Sequence, residues 1–216
     1  MIKKLLIGLG VILVSAGATF GVLYFIKQSQ QQSTSGVTST AVVLDHSKDY
    51  GACTLLDTTT IKSALGDAAK TLQPLQDMGI VGNKAVGDGV NDLSSDSQLC
   101  IYAFKTGGTL ENGYNSGDAF IIERIVYANP SGPQTLIAQI KANSVGTVVD
   151  NIGDFAFYGT NTAATGPEAT YGFRLEVFIG NTAVRYMIRQ PAASATFTAE
   201  SAKTALTQLA RAAKQP

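Results

Sequence analysis

The chain has 216 residues, enough for one domain with accessories, and its 45% hydrophobic content is ordinary for a globular protein. Its formal net charge is zero, but Lys3, Lys4 and Lys27 flank the first apolar run, leaving thirteen basic against sixteen acidic side chains after residue 27. A mildly acidic remainder speaks against nucleic acid, and against that remainder lying on an anionic lipid surface.

Leu5–Ile26 reads LLIGLGVILVSAGATFGVLYFI, 22 residues without charge or proline. As a helix it is roughly 33 Å long, sufficient for a hydrocarbon core. Residues 1–27 are therefore expected to be a single transmembrane anchor, with Tyr24 and Phe25 at its outer interface. Lys3, Lys4 and the amino terminus outweigh Lys27, which predicts the N-terminus inside and the bulk of the chain outside. Ala16-Gly17-Ala18 resembles a signal cleavage site, but the apolar run continues past it to Ile26. The glutamate that type IV pilins bury near the start of this helix is absent.

Residues 28–45 begin QSQQQSTSGVTST, too polar to offset their chain entropy, and are read as a flexible tether. Residues 46–216 are expected to form one extracytoplasmic α+β domain, its folded part starting between Ala41 and Gly51. Cys53 and Cys100 are the only cysteines, and in an exported domain an even count predicts a disulfide.

Asp57 or Thr58 is placed to cap a short helix ending at Leu65, with Gly66 as its left-handed stop. Residues 66–98 read as long loops with a helical turn near Leu72–Met78. Strands are expected at Cys100–Lys105, Ala119–Tyr127 and Phe155–Tyr158, with a helix from Ser131 to about Ala142 burying Leu136, Ile137 and Ile140. Gly180-Asn181 is a two-residue hairpin loop between Gly172–Ile179 and Thr182–Arg189. Its register predicts that Ile179, Val177, Leu175 and Phe173 face Thr182, Val184, Tyr186 and Ile188, and that Glu176 faces Arg185 on the other side. Thr198 caps a last helix whose stripe is Ala202, Ala205, Leu206, Leu209, Ala210 and Ala213, beside Phe197 as a staple. The expected fold is an antiparallel sheet with helices packed on one face.

Cys53-Thr-Leu-Leu, Ala64-Leu65-Gly66, Cys100-Ile-Tyr, Ile152-Gly153-Asp154-Phe155-Ala156 and the Leu209-Ala210 helix follow one another in an order that resembles the DUF3558-type domain of envelope lipoproteins. More distantly it is similar to the Mog1 and PsbP-like sandwich. The resemblance spans about residues 51–213 and implies a surface-exposed α+β domain of unknown function, without established catalytic residues. This chain departs from that family in carrying a transmembrane segment instead of a lipobox.

No motif assigns chemistry. His46 is the only histidine and adjoins the tether, so a Ser-His-Asp or Cys-His device has no rigid base. Asp88, Asp92 and Asp96 do not follow the EF-hand spacing. Asp150 and Asp154 flank Asn151-Ile152-Gly153, where Asp154 capping a turn and Gly153 at positive φ is the simpler reading. No metal or cofactor is expected. Arg174, Arg185 and Arg189, with Phe178 and Met187, occupy the non-core side of the hairpin and make a candidate partner surface. The functional expectation is a non-enzymatic envelope module, anchored in the cell membrane, that binds an envelope protein or a small ligand. The alternatives are an accessory subunit of a membrane complex, or an unrecognised hydrolase.

Overall fold

The computed structural model describes residues 43–45, 47–83, 94–104, 118–143, 146–163 and 170–214; for 73–83, 161–163, 170 and 171 it describes the backbone alone. The expected anchor and nearly all of the tether lie outside these residues. Among the described residues no helix is long and apolar enough to cross a membrane.

Seven strands form one sheet: β1 (Gln73–Asn83), β2 (Ser95–Ala103), β3 (Ala119–Tyr127), β4 (Thr147–Val148), β5 (Phe155–Ala163), β6 (Thr170–Ile179) and β7 (Thr182–Pro191). Their order is β1-β2-β3-β7-β6-β5-β4, every pair antiparallel. The fold is α+β, as expected. The β6–β7 hairpin takes the register its turn dictates, pairing Val177 with Val184, Leu175 with Tyr186 and Phe173 with Ile188. Gly180, at φ 56°, supplies the backbone conformation that the loop needs.

Helices α1 (Thr58–Leu65) and α3 (Ala199–Ala212) cover one face. Asp57 begins α1, its Oδ1 accepting from the Thr60 amide at 2.7 Å. Thr198 and Ser201 exchange bonds in a capping box at the start of α3, the Thr198 amide donating to Ser201 Oγ at 2.9 Å. The i, i+3, i+4 spacing of Ala202, Ala205, Leu206, Leu209 and Ala210 aims all five into the main core. There they meet Ile61, Leu65, Phe120, Ile122, Leu175, Val177, Tyr186 and Ile188. Leu206 and Leu209 are fully buried, which stabilises the fold by about 2 kcal/mol each.

Helix α2 (Ser131–Asn143) corrects the expectation of helices on one face only. Ile137, flanked by Leu136 and Ile140, packs on the opposite side of the sheet against Ile125, Tyr127, Phe157, Phe178 and Ala183. The reason is legible in the strands: Phe157, Phe178 and Ile125 alternate out of the main core, so this end of the second face is apolar and needs cover. Lys141 adds a cation–π contact, its Nζ 5.0 Å from the Phe155 ring centre.

Two further expectations change. Residues 73–83 form β1, not a helical turn near Leu72–Met78. It is an edge strand with two register shifts against β2, which erases a clean alternation and tolerates Pro74. Strand β2 begins at Ser95, five residues before Cys100, because its polar start is buried under the strap of residues 49–54. Tyr50 donates to Asp96 at 3.0 Å, while Gln98 accepts from the Ala52 amide at 3.1 Å and donates to Asp49 at 2.9 Å. Cys53 then bridges to Cys100, the expected disulfide.

Candidate functional site

The second face of the sheet carries a row of charges across its central strands. Phe157, Glu176, Arg185 and Glu123 are successive cross-strand neighbours on β5, β6, β7 and β3. Arg185 Nε donates to Glu176 Oε1 at 2.8 Å and Nη1 to Glu123 Oε2 at 3.1 Å. Glu176 is 3% exposed, so Arg185 is a structural cation between two carboxylates. Burial pulls the Arg185 pKa down, but Glu176 and Glu123 outweigh it and hold the guanidinium above its ordinary value. Burial, with the two carboxylates reinforcing it and Arg185 opposing, pushes Tyr127 up to about 12.

One row along, the face opens into a trough of about 340 Å³ lined by Gly159, Thr160, Gly172, Arg174, Met187 and Arg189. Gly159, Arg174 and Met187 are cross-strand neighbours, and Gly172 pairs with Arg189 in the next position. The glycines make the floor: a Cβ built on Gly159 touches only Phe157, at 3.9 Å. Arg174 forms one wall. Its Nε lies 3.7 Å from Glu176 Oε2, its guanidinium carbon is 5.3 Å from the Phe157 ring centre, and 42% of its side chain is exposed.

The five residues expected to form a partner surface are thus divided. Arg174, Met187 and Arg189 share the trough. Arg185 belongs to the charge row, and Phe178, 1% exposed, lies in the core with α2 instead of on the surface, because the apolar end of this face is covered. Gly159, Thr160 and Gly172 did not stand out from the sequence. Glycine inside a strand is the signal that could have found two of them, since it marks close approach of another group to the backbone.

The other sequence candidates resolve into structure. Asp154 Oδ2 accepts from the Gly180 amide at 2.7 Å, and Gly153 has φ 58°, as the turn reading expected. Asp150 is exposed, Asp96 is buried on Tyr50, and His46, Asp88 and Asp92 lie outside the described residues. Among the described residues no three His, Cys, Asp or Glu converge as metal ligands. A second depression, about 600 Å³, runs along α3 past Glu200, Lys203, Thr207 and Arg211, the solvated side of an amphipathic helix.

No protein-family model matches the chain. No curated protein and no solved structure matches it either.

Proposed function

We propose that this chain is a non-enzymatic binding module of the cell envelope, held in the membrane by residues 1–27, spaced by 28–45, and presenting domain 46–216 outside. The observation that carries the binding role is the trough: two guanidiniums, a thioether and bare glycine backbone gathered on one open strip of sheet. Arginine stays charged and does not exchange protons at ordinary pH, so this set suits recognition rather than acid–base work. Arginine beside flexible, polarisable methionine is the mixture that dominates partner surfaces. The outside address rests on the charge-free run Leu5–Ile26, the lysines before it, and the paired Cys53 and Cys100. The order of landmarks, which resembles that of envelope lipoprotein domains, points to the same address.

Two measurements test this reading. Alkaline extraction should leave the full chain in the membrane pellet, and protease added outside should digest residues 46–216; recovery as a protected or cytosolic species refutes the address. A photo-crosslinking amino acid at position 187, in intact cells, should capture a discrete partner or ligand that the same group at position 207 on α3 does not. Equal yields from both positions refute the trough as the binding surface.

A further inference from the structure

We infer that the outer edge of β5, over Gly159–Ala163, pairs antiparallel with the same edge of a second copy of this chain, across a twofold axis at Asn161. This goes beyond the binding role proposed above and holds whatever the trough takes. Strand β4 covers β5 only at Phe157 and Tyr158, with the Val149 amide donating to the Ala156 carbonyl at 2.9 Å. Beyond Tyr158, β5 runs on to Ala163, paired with β6 on its inner side. Among the described residues no strand pairs with the outer side of that stretch. Ala156 bonds outward, and backbone direction alternates along a strand, so Tyr158, Thr160 and Thr162 turn N–H and C=O the same way. Tyr158 meets Thr147, which leaves the outward donors and acceptors of Thr160 and Thr162.

Sheet edges are ordinarily defended against such pairing by charge, proline or bulges. The far edge of this sheet is defended: β1 carries Pro74 and two register shifts. The register of β5 is unbroken, and no charged residue lies between Phe155 and Pro167. Three relations name the second copy as the occupant. Thr160 and Thr162 lie symmetrically about Asn161, so a twofold axis there sets each Thr160 opposite Thr162 of the other copy and satisfies the outward groups of both. An uncharged edge meeting itself sets no like charges together. The added strand must also stop short of β4, opposite Gly159; β5 itself ends at Ala163, the residue this register places there. Pairing about such an axis keeps the sheet faces together, so the two troughs open on one side of a continuous sheet. The second copy's Ala163 then stands beside Gly159, at the rim of each trough.

The test uses the full-length chain in its own membranes. Cys53 and Cys100 are paired with each other, so an introduced cysteine is the one free thiol. The register puts the two Asn161 backbones about 4.5 Å apart as a non-hydrogen-bonded pair, within reach of a disulfide, and the two Thr160 backbones beyond the limit of about 7 Å. Mild oxidation should therefore link Asn161→Cys into a dimer at least about tenfold faster than Thr160→Cys, or Thr207→Cys on α3. Asn161→Lys and Asn161→Glu each set like charges on the axis. Differently tagged copies of Asn161→Lys and Asn161→Glu should co-purify at least about threefold better than either variant does with itself. Thr160→Pro removes a donor that β6 does not use and should abolish the dimer, and the Lys and Glu pair stands in for it if that variant loses its native melt. Linking at 161 no faster than at 160 or 207, an Asn161→Cys adduct to another polypeptide in place of the dimer, or co-purification indifferent to Lys against Glu each overturn the inference. So does a dimer that survives in folded Thr160→Pro, because its contacts lie elsewhere in the chain.

Discussion

Arg185 Nε and Glu176 Oε1 meet at 2.8 Å across the β6–β7 pair, on a face where Glu176 is 3% exposed. Neither charge is tolerable there alone, and Glu123 depends on the same guanidinium.

Arg185→Met should therefore cost about 3–5 kcal/mol, because it leaves two carboxylates facing an apolar neighbour. Replacing Glu123, Glu176 and Arg185 together by apolar residues of similar volume should recover most of that loss. Urea midpoints at neutral pH check both. A midpoint for Arg185→Met equal to that of the wild type removes the charge row from the list of structural necessities.

Reduction of Cys53–Cys100 opens a loop closed over a sequence separation of 47 residues. The chain-entropy model assigns such a loop about 4 kcal/mol. Denaturant titrations with and without reductant should differ by about that much, and the Cys53→Ala, Cys100→Ala double variant should match the reduced protein and ignore the reductant.

Gly153 combines φ 58° with crowding: an added Cβ comes within 2.6 Å of the Phe178 carbonyl and 2.7 Å of Val177 Cγ1. Gly153→Ala should destabilise the fold by about 2–3 kcal/mol or more. Gly180→Asn, at a similar φ but with open space around it, should cost well under about 1 kcal/mol, as Asn tolerates that conformation. Paired thermal melts compare the two.

Alkaline pH should weaken the domain before it affects most side-chain contacts. Burial raises Tyr127 and Tyr158 to about 12, while in the unfolded chain both titrate near 10. Their contribution is complete below pH 10 and is lost as pH climbs from 10 towards 12, because only the unfolded state gives up the protons. Stability measured against pH should fall through that window, and Tyr158→Phe should flatten the fall. The same substitution removes the bond that Tyr158 donates to the Ala199 carbonyl at 2.7 Å, so it also lowers the plateau.

Sequence reasoning succeeded where two independent signals agreed. Gly180-Asn181 and the alternation on either side fix the same register, so the Val177–Val184 and Glu176–Arg185 pairs could be named before any coordinates. The stripe of α3, the bounds of β3 and the Cys53–Cys100 bridge were legible for the same reason. The failures share a cause as well. In Ser95-Asp96-Ser97-Gln98 a strand hides behind polar residues, because Asp96 and Gln98 are buried on partners 46 and 49 positions away, which no local pattern encodes. Phe178 looked like part of an exposed strip because nothing in β6 announces that α2 lies over it. The trough floor was missed because glycine carries no side chain to attract notice, and its neighbours across β5 and β6 are known only once strands pair.

The strap of residues 49–54 decides where mechanical load enters the domain. A pull arriving from the N-terminal side reaches Cys53, and the bridge hands it to β2, a strand with neighbours on both edges, rather than to the exposed end of α1. While the bridge holds, load reaches the interior of β2, where the backbone ladders to β1 and β3 resist it together. Once the bridge is reduced, the same pull is resisted by non-covalent contacts of Asp49, Tyr50 and Ala52 with Asp96 and Gln98 and by the bond from Arg124 to the Tyr50 carbonyl, which can yield one after another.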